Sequence, residues 1–220
     1  MLEEKLVTLK KDLIDFAAIV ESMVEKCIAG LTAKDGTLLD EVITVEEPRA
    51  NACEVALDEL CTNLIAQYQP RAKNLRLILM AYKMSNDLER MGDHAVNVAE
   101  SSQYIIARPP IKPLVDLPHM GELVVKMVSD SINSFVNEDA ALARSVCGRD
   151  NAVDDLKRHI YTELLALMQK DPTTVERAHH LIRITGNLER VADLSTNICE
   201  DVLFLAEGTV IKHHHEGLPQ

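Results

Sequence analysis

Glu89, Asp93, Asn97 and Glu100 are spaced four, four and three residues apart, and Glu189, Asp193, Asn197 and Glu200 repeat the pattern one hundred residues on. On a helix turning roughly 100° per residue, each set falls within an arc of about 80° and a length of about 16 Å. Such a stripe is too long for one metal ion and long enough for several. Carboxylates and amide oxygens suit hard or borderline cations: Fe, Mn, Mg, Ca and, less specifically, Zn. Two copies of one oxygen-rich face point to one fold unit used twice.

The competing explanation is a solvated polar face of the kind every surface helix carries. Two features weigh against it. Like charges at i and i+4 destabilise a helix by roughly 0.2–0.5 kcal/mol unless something neutralises them, and both Glu89/Asp93 and Glu189/Asp193 keep that pairing. The oxygen-bearing positions also recur while the residues between them drift, as in Met91/Val191, Gly92/Ala192 and His94/Leu194. The apolar Leu88, Met91, Ala95, Val98 and Ala99 fall on the opposite side, so bound ions would sit on the bundle surface with open coordination positions.

The preceding helix of each half carries acids as well. Glu47, Asn51, Glu54 and Asp58 share one face; Asp150 and Asp154 match the first two, and Lys157 and Tyr161 follow in register. A hairpin would bring Glu47 and Asn51 near the Glu89 stripe, and Asp150 and Asp154 near the Glu189 stripe. Arg90 and Arg190 point about 100° away from the motif acids and suit salt bridges or a partner protein. His94 has no counterpart in the second half and reads as a surface residue, as do His179 and His180. His213–His215 read as part of a flexible tail. The sequence shows no P-loop, nucleophile elbow, His-based triad or Gly-rich nucleotide loop.

The elements that must position these faces are long helices. Leu6, Leu9, Leu13, Phe16, Val20, Met23, Val24 and Cys27 recur at three and four and predict a first helix over 2–29, stopping at Gly30. A second spans 37–68, with Leu39, Val42, Val45, Cys53, Leu57, Leu60, Leu64 and Ile65 inward and a kink or restart at Pro48. A third starts at Gln69-Pro70, with Pro in the first turn, and runs to 106. The Pro-rich segment 109–114 cannot stay helical and links two halves. The second half repeats the plan over 117–136, 139–169 with a possible break near Gly148, and a helix from Asp171-Pro172-Thr173 to 207, with Asp171 as N-cap. Short links between long helices imply antiparallel neighbours. The expected architecture is all-α: two tandem, pseudo-symmetric three-helix bundles over 1–108 and 115–210, followed by a His-containing tail over 211–220.

The bulk composition agrees. Three Phe, four Tyr and no Trp in 220 residues demand an aliphatic core, and eight Gly and eight Pro leave little punctuation for a many-turned sheet. A net charge of −12 disfavours nonspecific nucleic-acid binding and suits cations or a basic partner surface. The five cysteines form no CxxC pair and their odd number leaves one over, which reads as reduced thiols in a cytoplasmic protein. No signal peptide or membrane-spanning run is visible, so membrane contact would come only through partners.

At these residues the chain resembles the PhoU family. Its signature is a repeated E(D)xxxD motif, present as Glu89-Arg-Met-Gly-Asp93 and Glu189-Arg-Val-Ala-Asp193, with Gln-Pro-Arg at 69–71, Asn-Asp-Leu-Glu-Arg at 86–90, Gly-Asp-His at 92–94 and Ala-Glu-Gly at 206–208. The resemblance spans essentially the whole chain. It implies a pair of three-helix bundles carrying multinuclear iron or zinc clusters on the bundle surface. By position, Glu89, Asp93, Glu189 and Asp193 are the expected ligands, then Asp150 and Asp154, then Glu47, Asn97, Glu100, Asn197, Glu200 and Asp201. It also implies a negative regulator of the phosphate-starvation response. Such a regulator would be a cytoplasmic homodimer and a non-enzymatic adaptor between the ATPase subunit of a phosphate ABC transporter and a sensor histidine kinase. The alternative from the residues alone is a carboxylate-bridged metalloenzyme, an oxidase or phosphatase. Against it stand the outward-facing Glu-x-x-x-Asp motif and the absence of a His recurring in both copies, where ferritin-like di-iron sites place Glu-x-x-His inside a four-helix core.

Overall fold

The computed structural model describes residues 1–207; the His213–His215 tail lies outside them. Helix α1 spans Leu2–Ala33, and every inward residue named from its spacing is buried, from Leu6 to Cys27. It passes through Gly30, where a Cβ would stand 2.8 Å from Leu39, and ends at Lys34 in the left-handed conformation. Helix α2 is composite: Gly36–Glu41, a π-helical turn Val42–Glu46, then Glu47–Tyr68. The Asp35 carboxylate accepts from the Thr37 N–H at 2.9 Å and caps its start.

The π turn is how α2 passes Pro48. Proline lacks an N–H and its ring crowds the carbonyl four residues back; the wider turn, closed by the Glu47 N–H on the Val42 carbonyl, absorbs both. The extra residue rotates the register. Val45, expected inward, is 46 % exposed, and Glu46 turns in at 4 % exposed. Lys26 meets Glu46 at 2.5 Å and Glu41 at 2.8 Å, and the Ser22 hydroxyl donates to Glu46 at 2.9 Å.

Helix α3 spans Ala72–Ile106 and so starts after Pro70, not with it. Gln69 ends α2 in the left-handed region, and a residue before proline avoids helical backbone. Helix α4 spans Asp116–Asn137 and α5 spans Ala140–Lys170, capped by Asp139 on the Leu142 N–H at 3.0 Å and unbroken at Gly148. Asp171 caps a 3-10 turn, Pro172–Thr174, that leads into α6, Val175–Glu207.

α1, α2 and α3 form one three-helix bundle and α4, α5 and α6 a second, with no strand among the described residues. The bundles meet through α3 against α6 and α1 against α4, so one aliphatic core runs through both. α3 and α6 run antiparallel, cross-linked by Lys83 on Asp201, His94 Nδ1 to Asn187 Oδ1 at 2.8 Å, and the Tyr104 hydroxyl donating to Glu176 at 2.6 Å. Because position n repeats at n+100, this ladder sets residue 91 opposite its own equivalent, 191. The repeated motifs therefore flank a local pseudo-twofold axis at the bundle interface.

Candidate functional site

In the second bundle the Lys157 ammonium meets Glu189 at 2.6 Å and fixes the register of α5 on α6. Asp150 and Asp154, one to two turns earlier on α5, then lie alongside Asp193. The Asp193 carboxyl is pushed up to about 6, first by burial and then by the charges of Glu189, Asp150 and, last, Asp154; Arg190, 3.6 Å away, offsets only part of this. Four carboxylates thus converge on a half-buried strip, where Lys157 meets Glu189 and Arg190 lies beside Asp193.

In the first bundle the Glu89 carboxyl is raised by burial, then by Asp93 and Glu54, with Arg90 opposing. Glu54 is thus the α2 acid that faces Glu89. Asn51 and Glu47 lie one and two turns back along α2 from Glu54, at the level where Ala50 packs over Gly92, and so flank the Asp93 end of the stripe. Glu54 is the further acid that the inter-helix register adds to this stripe, at its Glu89 end. Where the first half has Glu54, the second has Lys157. The two sites are therefore equivalent in position and different in charge.

The remaining candidates separate. Asn97 donates to the Asp93 carbonyl at 2.9 Å, along its own helix, and Glu100 and Asn197 are exposed. Glu200 is half-buried. Asp201 is 5 % exposed and bonded to Lys83, so it serves the bundle interface. Arg90 lies 3.6 Å from Asp87, and both motif arginines line a groove of about 690 Å³ between α3 and α6. Asp150, Asp193 and Glu200 wall the same groove opposite His94, which is half-buried in the interface and not a free surface residue.

Among the described residues, three donor atoms fall within 4.8 Å of one another only at Asp116, His159 and Glu163, between α4 and α5. Lys112 already holds Glu163 there, and His159 is 70 % exposed. The motif carboxylates form longer, electrostatically coupled strips. The Lys83–Asp201, His94–Asn187 and Lys157–Glu189 links join residues of different helices and leave no spacing pattern in the sequence. The lone Lys157 in an acidic register was the one legible signal among them.

Fold and site together define a class: duplicated three-helix-bundle proteins with a repeated carboxylate face at the bundle interface. The chain belongs to the PhoU family, whose PhoU domain model matches it twice, over residues 13–102 and 117–202. It is 37 % identical over 206 residues to the phosphate-specific transport system accessory protein PhoU homolog of Aquifex aeolicus, covering 94 % of this chain and 93 % of that one. A second such homolog, from Thermotoga maritima, is 29 % identical over 99 % of this chain and 92 % of its own. The crystal structure of PhoU from Pseudomonas aeruginosa superposes with a TM-score of 0.90 at 32 % identity, covering 95 % of this chain and all of that one. PhoU from Streptococcus pneumoniae gives 0.87 at 25 % identity, over 96 % of this chain.

Proposed function

We propose that this chain is a metal-binding, non-enzymatic adaptor of a phosphate-specific transport system. It acts as a negative regulator of phosphate uptake and of the phosphate-starvation response. It works on the cytoplasmic side as a homodimer, linking the ATPase subunit of the phosphate ABC transporter to a sensor histidine kinase. The names of its relatives support the transport role. No described helix is long and apolar enough to cross a membrane, which accords with contact through partners.

The observation that supports the metal reading is the Asp193 carboxyl, held up to about 6 first by burial and then by the charges of Glu189, Asp150 and Asp154 gathered around it. A cluster of acids that raise one another's affinity for protons also raises one another's affinity for cations. Asp150, Asp154, Glu189 and Asp193 would hold ions in the second bundle, and Glu89 and Asp93 with Glu47 and Glu54 of α2 in the first. The donor set is all oxygen from carboxylates, which fits iron and also accepts zinc. Bound metal would supply charge neutralisation and a cross-link between neighbouring helices. Lys157 would have to leave Glu189, giving the second site a built-in competitor.

The test is genetic and biochemical together. Cells lacking the chain are expected to transcribe a phosphate-starvation reporter in high phosphate, and the wild-type chain to restore repression. The tagged chain is expected to co-purify with the transporter's ATPase subunit. Full repression without the chain would overturn the regulatory reading.

A further inference from the structure

We infer that Cys147 and Cys199 form an oxidisable dithiol, a redox modification site that ties α5 to α6 at one end of the second carboxylate face. Sequence spacing hides the pair, because the two residues are 52 positions apart and belong to no motif. The helix register reveals it. Lys157 sits on Glu189, and Cys147 lies ten residues back along α5 while Cys199 lies ten residues on along α6. In an antiparallel helix pair those positions lie at the same level, and each thiol is the largest influence on the other, Cys199 holding Cys147 below the ordinary thiol range and Cys147 pushing Cys199 above it. The Ser134 hydroxyl on α4 approaches the Cys199 sulfur at 3.9 Å from the other side.

Exposure divides the roles. Cys147 is half-buried and reachable from solvent, whereas Cys199 has no exposed surface. The other cysteines are placed differently: Cys27 and Cys61 are buried with their thiols on the Ala95 and Ile78 carbonyls, and Cys53 lies on α2 in the first bundle. The repeat equivalents of Cys147 and Cys199 are Thr44 and Ala99, so the device belongs to the second bundle alone.

The chemistry needs a peroxide as oxidant. The Cys147 sulfur attacks one peroxide oxygen and the O–O bond breaks. The thiol proton leaves with the departing oxygen as water, and Cys147 becomes a sulfenic acid. The Cys199 sulfur then attacks the Cys147 sulfur. The S–O bond breaks, a second water carries off the Cys199 proton, and the S–S bond forms. Two thiols are oxidised and one peroxide is reduced to two waters. An added dithiol reverses the result.

The purified full chain, treated with hydrogen peroxide, denatured, alkylated and digested with trypsin, tests this by mass spectrometry. The expected product joins the peptide of residues 145–149 to that of residues 191–212, with three of the five cysteines still alkylatable. Cys147→Ser, at the half-exposed position, is expected to keep its helical circular dichroism and to leave Cys199 alkylatable under the same treatment. Five alkylatable thiols in the treated wild type would overturn the proposal. So would further oxidation of Cys147 to a sulfinic acid with no link to Cys199.

Discussion

Asp193 shows what single residues contribute. Its carboxyl titrates near 6 in the folded chain against an ordinary value of 3.8. The folded state therefore binds more protons than the unfolded state between those values, and metal-free stability falls as pH rises through that window. Asp193→Asn removes the penalty. It should stabilise metal-free protein at pH 7.5 by roughly 1 kcal/mol, after allowing for solvent screening of a side chain 39 % exposed. At pH 4 the variant and wild type should unfold alike, which urea titrations at the two pH values would check. The same substitution should weaken metal retention, separating the stability effect from the binding effect. The carboxylate stripes were legible because helix geometry fixes spacing within one element. The acid that faces Glu89 itself was not: that it is Glu54 depends on how far one helix slides along another, which spacing within one helix leaves undefined.

Elements follow their apolar period wherever nothing interrupts it. The buried face of α1 matched residue for residue because Leu, Phe, Val and Met recur at three and four without a break, while its end did not, the helix running past Gly30 to Ala33. α2 departed at the π turn, since Pro48 announces a disturbance without saying whether the helix kinks, stops or widens. The register shift makes a paired prediction. Glu46→Ala should cost about 2 kcal/mol, because Lys26 and Ser22 lose a buried partner. Val45→Asp should stay within roughly 0.5 kcal/mol of wild type. Thermal unfolding of the two variants distinguishes this register from one with Val45 inward, which would reverse their order. Gly121 is the other sensitive point, since a Cβ there would lie 2.5 Å from Ile28 where α4 crosses α1. Gly121→Ala should lower stability by about 1 kcal/mol, overpacking outweighing the gain in helix propensity.

Across the whole molecule, the duplicated bundles share a core and a polar seam. Lys83–Asp201, His94–Asn187 and the stacked Tyr104 and His180 rings, with centroids 3.8 Å apart, all join α3 to α6. The chain should therefore unfold in one transition, with calorimetric and van't Hoff enthalpies equal. Two resolved transitions would mean that the bundles are energetically separate. The same seam places both motifs about one pseudo-twofold axis, so metal at either site would bear on the contact between the bundles. The most direct measurement is elemental analysis of native protein that has never met a metal-affinity resin, alongside the Glu89→Gln/Asp193→Asn double variant. More than one iron or zinc per wild-type chain, lost from a double variant with unchanged circular dichroism, is the predicted result. No transition metal retained by the wild type after loading and desalting would contradict it, and the carboxylate strips would then be solvated surface alone.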